Sequence, residues 1–151
     1  MADQSRTTII VFVGLIGSGK TTALTTCAAH QLPSITGVSV TEAIDEISRL
    51  AQAGQHVIAT DCVTTIDELM QLRHAFPGAV TVVAILAARH YRLQRTSLPG
   101  DELDAHDRHA VEQRSLGAVI ALADHFLPNN RGLAHFTDMT ARAVDLIQNS
   151  K

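Results

Sequence analysis

The apolar positions of this chain fall into short continuous runs that alternate with helical stripes. Thr7–Val13 is rich in β-branched residues and carries no charge, the pattern of a strand covered on both faces. A glycine-rich turn follows, then a helix over Thr21–Leu32 with Leu24, Cys27, Ala28 and Leu32 on one face. Pro33–Val38 reads as a loop with room for a short edge strand. Ser39 and Glu42 form a capping box for a helix presenting Ala43, Ile44, Ile47, Leu50 and Ala51, which Gly54 ends. His56–Thr60 is a second buried strand and finishes at Asp61. Thr65 and Glu68 make another capping box, opening a helix with Ile66, Leu69, Met70 and Phe76 inward that Pro77-Gly78 stops. Ala79–Leu86 is the third strand, and Arg89–Arg95 a short helix broken by Pro99-Gly100. One long helix is expected from about Asp104 to Asp124, then a short strand His125–Leu127. Leu133–Gln148 closes the pattern with Phe136, Met139, Ala143, Val144 and Ile147 inward.

Strands alternating with helices predict an α/β three-layer architecture: a mostly parallel sheet of four or five strands with helices on both faces. Ligands of such sheets bind at the carboxyl ends of the strands, where the glycine-rich turn and Asp61 both fall. The 151 residues show no repeat or linker and suit a single domain over 1–151. A hydrophobic fraction of 46% against 18% charged describes a chain that folds. The net charge of −3 works against nucleic acid as a partner, so anion binding must come from a local site. The apolar runs Ile9–Phe12 and Val82–Ala88 are far short of the ~20 residues a membrane helix needs. Met1–Arg6 carries no apolar signal-peptide core, and Cys27 and Cys62 have no metal-type spacing and read as free thiols. The expected compartment is the cytoplasm.

The turn itself reads Gly14-Leu15-Ile16-Gly17-Ser18-Gly19-Lys20-Thr21, a Gly-x4-Gly-Lys-Thr phosphate loop placed between a strand and a helix. Its glycines let the backbone turn N–H groups, those of Leu15, Ile16, Ser18 and Thr22 included, toward one point. The N-terminus of the next helix adds a favourable dipole for an anion. Lys20 supplies a point charge to the β- and γ-phosphates, and the Thr21 hydroxyl is a ligand for Mg²⁺. The chain holds ten arginines and only two lysines, Lys20 and Lys151, so a lysine at position 20 is a particular choice. These features predict a P-loop NTPase fold that binds a nucleoside triphosphate, ATP with Mg²⁺.

Asp61, at the end of its strand, suits a carboxylate that holds a magnesium-bound water or orients an acceptor hydroxyl. The alternative is a turn aspartate that satisfies backbone N–H groups; the functional reading is preferred because this strand is expected to neighbour the phosphate-loop strand. Arg89, Arg92 and Arg95 recur every three residues on one helix face, and Arg108 and Arg114 lie on the long helix. Phosphoryl transfer needs cations over the migrating phosphate, and Arg92, Arg95 and Arg108 are the candidates. The competing reading is a solvated basic face with Arg108 paired to Asp104 four residues earlier. His106 and His109 have helical i, i+3 spacing but no supporting Cys or Glu-x-x-His pattern, and read as solvated surface.

With these residues placed, the chain resembles dephospho-CoA kinase and its short relatives in the nucleoside-monophosphate-kinase group, from Thr8 to about Val144. The phosphate loop carries the likeness, with Arg92 and Arg95, Arg108, Ala123-Asp124, His125–Leu127, Asn129 and Gly132-Leu133. The stretch Asp61–Glu68 is similar to that group's Asp-Gly-x-Arg-Ser-x-x-Glu segment. The resemblance implies that Asn129 borders the adenine, that Arg92, Arg95 or Arg108 are lid cations, and that a small-molecule acceptor takes the γ-phosphoryl. The acceptor region departs from the group: only Gln31–Gln55 is available, Gly37-Val38 stands where an aspartate is typical, and Thr64 where arginine is frequent. The expectation is a small-molecule or nucleotide kinase that is a poor dephospho-CoA kinase, or else a degenerate nucleotide-binding regulator.

Overall fold

The structure, a computed structural model, describes residues 7–150; the segment Met1–Arg6, read above for a signal sequence, and Lys151 lie outside the described residues. The elements in chain order are β1 (Thr8–Val13), α1 (Lys20–Ala29), β2 (Ser34–Ile35), α2 (Val40–Gln52), β3 (Val57–Thr60) and α3 (Ile66–Ala75). Then come β4 (Val80–Leu86), α4 (Arg89–Arg95), α5 (Gly100–Glu112), α6 (Leu116–Ala121), β5 (His125–Pro128) and α7 (Leu133–Asn149). The five strands form one sheet in the order β2-β3-β1-β4-β5, and every pairing is parallel.

All six residues of β1 are buried because the strand is central and covered on both faces. Ile9, Val11 and Val13 pack with Ala43 and Ile47 of α2, Leu69 and Leu72 of α3 and Val119 of α6. Ile10 and Phe12 face the other way, onto Ala23, Leu24 and Cys27 of α1 and Phe136, Val144 and Ile147 of α7. This period-2 division is the physical content of a three-layer fold. β1 pairs with β3 on one side and β4 on the other, with Val11 opposite Thr60 and Val13 opposite Ala84. The loop after β1 and the residue after β3 therefore emerge side by side at the carboxyl edge of the sheet, where a topological switch point opens a crevice.

Local expectations fare unevenly. The Ser39–Glu42 capping box forms in both directions, the Glu42 amide donating to Ser39 Oγ at 3.2 Å and the Ser39 amide to Glu42 Oε2 at 2.8 Å. The second box forms in one direction only. The Glu68 amide donates to Thr65 Oγ1, but the Glu68 carboxylate turns to the Thr64 amide and to Arg114. Ala28 is exposed, since α1 ends one residue later and its buried face is Ala23, Leu24, Thr26 and Cys27. Met70 is 45% exposed and Leu72 fully buried instead, the face of α3 being rotated to meet α2 and α6.

The single long helix is two. α5 starts earlier, behind Pro99, and the chain breaks at Ser115, which adopts a left-handed φ of 54° before α6. Its hydroxyl accepts the backbone N–H of Ile66 at 3.0 Å, so it satisfies a donor in the first turn of α3. A tertiary bond across 49 residues of chain holds this turn.

Candidate nucleotide site

The loop Gly14–Gly19 joins β1 to α1 and turns on Gly17 (φ 77°) and Gly19 (φ 123°). A Cβ on Gly19 would lie 2.6 Å from Asn129 Nδ2 and 3.0 Å from the Phe136 ring, so both backbone angle and space require glycine there. Asn129 is buried, and its Nδ2 donates to the Ser18 carbonyl at 2.7 Å, clamping the loop from the end of β5. The Asn129 amide in turn donates to Leu86 O at 2.7 Å, and its carbonyl accepts from Arg95 Nη2 at 2.8 Å. Asn129 therefore spends its side-chain amide on the phosphate loop.

Arg92 is 4% exposed and fully engaged. Its Nη1 and Nη2 donate to both oxygens of Asp107 at 2.8 and 2.7 Å, its Nε to Ala87 O, and Nη1 also to Ile16 O of the loop at 3.3 Å. It ties α4, α5 and the phosphate loop into one unit. Arg95 lies over the Tyr91 ring, 5.8 Å from its centroid, beside the loop. Arg108 projects from α5 into solvent and has no hydrogen-bond or ion-pair partner among the described residues. The suggested Arg108–Asp104 pair does not form, because Arg89 holds Asp104 through two bonds of 2.6 and 2.9 Å.

Lys20 folds back on its own loop, its Nζ donating to Gly14 O at 2.7 Å and to Leu15 O at 3.5 Å. Burial pushes its ammonium below the usual lysine range; the Asp61 carboxylate opposes that shift and the Arg92 guanidinium adds to it. A desolvated cation is stabilised by an anion placed in the loop beside it. Asp61 follows β3, and its Oδ2 accepts from the Thr36 hydroxyl at 3.0 Å. The Ser18 hydroxyl is buried without a hydrogen-bond partner.

Of the clefts against the loop, two are lined by Lys20. The larger, about 900 Å³, is lined among others by Lys20, Thr21, Thr22, Arg95, Asn129 and Phe136. The smaller, about 440 Å³, lies against Gly14, Lys20, Thr64, His106, His109 and Arg114. Ile16 and Lys20 line both. Asp61 lines neither and acts on the loop through its field at Lys20. The larger cleft fits a nucleotide in size and donor set, its glycine cradle and helix N-terminus being anion-selective. The hydroxyl of Thr21 and the carboxylate of Asp61 are hard oxygen donors of the kind Mg²⁺ takes, directly or through water. No cluster of three or more His, Cys, Asp or Glu suited to a metal exists among the described residues.

Three placements had no signal in the local pattern. Thr36 ends up on Asp61, 25 residues later. Arg114 reaches Thr64 Oγ1 at 2.7 Å and Glu68 Oε1 at 3.0 Å, so a cation stands at the position where Thr64 itself has none. His106 and His109 are exposed as expected, yet they form a wall of the second cleft.

No protein-family model matches the chain. It is similar to a UPF0200 protein of Thermococcus kodakarensis, 28% identical over 113 residues that cover 70% of this chain and 60% of that protein. A second UPF0200 protein, from Thermococcus onnurineus, is 29% identical over 96 residues, 58% of this chain and 51% of that one. The chain thus spans a little over half the length of the curated relatives it matches. Among solved structures it is similar to a sugar kinase from a Janibacter species, TM-score 0.64 at 14% identity, over 94% of this chain and 96% of that chain. Shikimate kinase from Acinetobacter baumannii in complex with shikimate gives 0.59 at 14% over 96% and 95% of the two chains. Dephospho-CoA kinase from Campylobacter jejuni gives 0.58 at 10% over 94% and 98%. At such identities the likeness speaks to the backbone, and it agrees with the strand order and the loop: the chain has the fold of the P-loop kinases.

Proposed function

We propose that the protein binds ATP with Mg²⁺ in the larger cleft and transfers the γ-phosphoryl to a small molecule seated in the smaller one. The observation that carries this reading is the position of Lys20, which lines both clefts. Phosphoryl transfer needs a cation at the migrating group and two substrates in line across it. The acceptor oxygen bonds to the γ-phosphorus as the bond to the β–γ bridging oxygen breaks, ADP leaves, and the hydroxyl proton passes to a base or to water.

The loop backbone and Lys20 hold the phosphates, and Asn129 and Arg92 keep that backbone in place. Mg²⁺, when bound, neutralises phosphate charge, with Thr21 as ligand and Asp61 as a water-mediated partner or base. Arg95 on Tyr91 borders the nucleotide, as does the backbone after Asn129, and Arg108 is a lid cation that comes into play on closure. The cytoplasm is the compartment this chemistry suits, and no helix among the described residues is long and apolar enough to cross a membrane.

One observation favours a second reading, a nucleotide-binding regulator without turnover. The residues after β2, Thr36 to Val38, supply no carboxylate to take an acceptor proton, and Asp61 beside them is engaged by the Thr36 hydroxyl. A γ-phosphate-transfer screen against nucleosides, nucleoside monophosphates and dephospho-CoA, with water as control, separates the two. Transfer to any acceptor above the water rate supports the kinase; tight ATP binding with none supports the regulator.

A further inference from the structure

The smaller cleft has a composition at odds with the molecule around it. The protein carries 15 acidic residues against 12 lysines and arginines. Yet this cleft is bordered by Lys20, His106, His109 and Arg114 and by no carboxylate. The four come from separate places: the start of α1, one face of α5, and the turn before α6. Two acids on α5 are drawn elsewhere, Asp104 to Arg89 and Asp107 to Arg92. The histidines stand one turn apart, so both imidazoles present to the same space.

Arg114 is positioned without being used up. Only its Nη2 donates, to Thr64 and Glu68, and the side chain stays 45% exposed, leaving Nε and Nη1 without acceptors among the described residues. Glu68 divides its oxygens among Arg114, the Thr64 amide and the Thr64 hydroxyl. An ion pair this exposed is weak, so it orients the fork without cancelling its attraction for a planar anion.

The geometry points to the smaller cleft as the seat of an anionic group on the acceptor, a carboxylate or a phosphate, held by Arg114, His106 and His109. This rests on the phosphotransfer reading and names the acceptor's class. Lys20 lines both clefts, so an acceptor anchored by its anion on Arg114 and the histidines has its hydroxyls in a space that borders the phosphate loop. A neutral polyol of the same shape would leave those donors without partners, and a site built around polar groups discriminates strongly against a ligand that lacks their counterpart.

The test uses ¹⁵N-labelled protein saturated with Mg-ADP, which occupies the phosphate loop and leaves the smaller cleft free. Two pairs of probes differ mainly in charge: D-gluconate with D-glucitol, and glycerol 3-phosphate with glycerol. Signals of His106, His109 and Leu116 are followed during each titration. The expected result is a dissociation constant at least tenfold lower for a charged probe than for its neutral partner, with that advantage lost in Arg114→Ala. A response to gluconate alone assigns a carboxylate, one to glycerol 3-phosphate alone a phosphate. The double variant His106→Gln/His109→Gln, altered only at exposed positions, repeats the test should Arg114→Ala unfold. Equal responses to charged and neutral probes, no response to either anion, or an unchanged advantage in the folded variants would overturn the assignment. Failure of Mg-ADP to bind at the outset is a separate result and sinks the nucleotide reading itself.

Discussion

The two sides of the phosphate loop are held by different kinds of interaction. On the nucleotide side, the clamps are buried: Asn129 on the Ser18 carbonyl, Arg92 across Asp107 and Ile16, Phe136 beneath Gly19. On the side of the smaller cleft α5 is tied to α4 through Asp104 and Asp107, but the turn after it rests on the half-exposed Arg114–Glu68 pair and the bond from Ile66 to Ser115. Bonds made in low dielectric away from water resist local opening, whereas exposed ones open easily. The side of the larger cleft is therefore preorganised, and the turn after α5, beside the smaller cleft, is freer to adjust. Substitutions on the two sides should separate accordingly.

Arg92→Ala has the largest effect, because it strands Asp107 and leaves the Ile16 and Ala87 carbonyls without a donor. Breaking a buried pair costs about 3 kcal/mol, a fall in melting temperature of roughly 6–12 °C for a chain this long. Calorimetry checks it, and a shift below about 2 °C would place the rigidity elsewhere. Asn129→Ala comes next. It leaves a buried carbonyl unpaired at about 1–3 kcal/mol and loosens the loop, so nucleotide affinity falls together with stability. An affinity unchanged at lower stability would separate the clamp from the site.

Asp61→Asn keeps the shape and the bond from Thr36 while removing the charge. Nucleotide affinity should change little, but its dependence on Mg²⁺ should weaken, read by titrating the metal at fixed nucleotide. An identical magnesium dependence would make Asp61 a turn residue. The smallest effect belongs to Arg108→Ala, on α5. Its stability change should stay within about 0.5 kcal/mol while phosphoryl transfer slows. Loss of neither would return Arg108 to the solvated surface.

The same contrast explains what could be read from the residues alone. The strand, loop and helix from Thr8 to Ala29 follow from apolar runs and adjacent glycines, all within one short window. The Ser39–Glu42 box and the bounds of α4 are local in the same sense. What escaped the pattern is tertiary. Ser115 leaves the helix to cap α3, Arg114 crosses 50 residues to meet Thr64, and the Asn129 side chain crosses 111 to reach Ser18. None of these has a period or a neighbour in sequence to announce it, and two of the three lie on the acceptor side.

The central claim is that the loop around Lys20 holds the phosphates of a nucleotide. Titration of a fluorescent ATP analogue with Mg²⁺ into the native protein and Lys20→Ala, alongside thermal melts, tests it most directly. Lys20 is a desolvated cation whose bonds are to its own loop, so its removal should not lower the melting temperature. Losing charge-assisted bonds to phosphate, about 1.5–3 kcal/mol each, should weaken the analogue on the order of 100-fold. Equal affinity in two equally stable proteins would contradict the account.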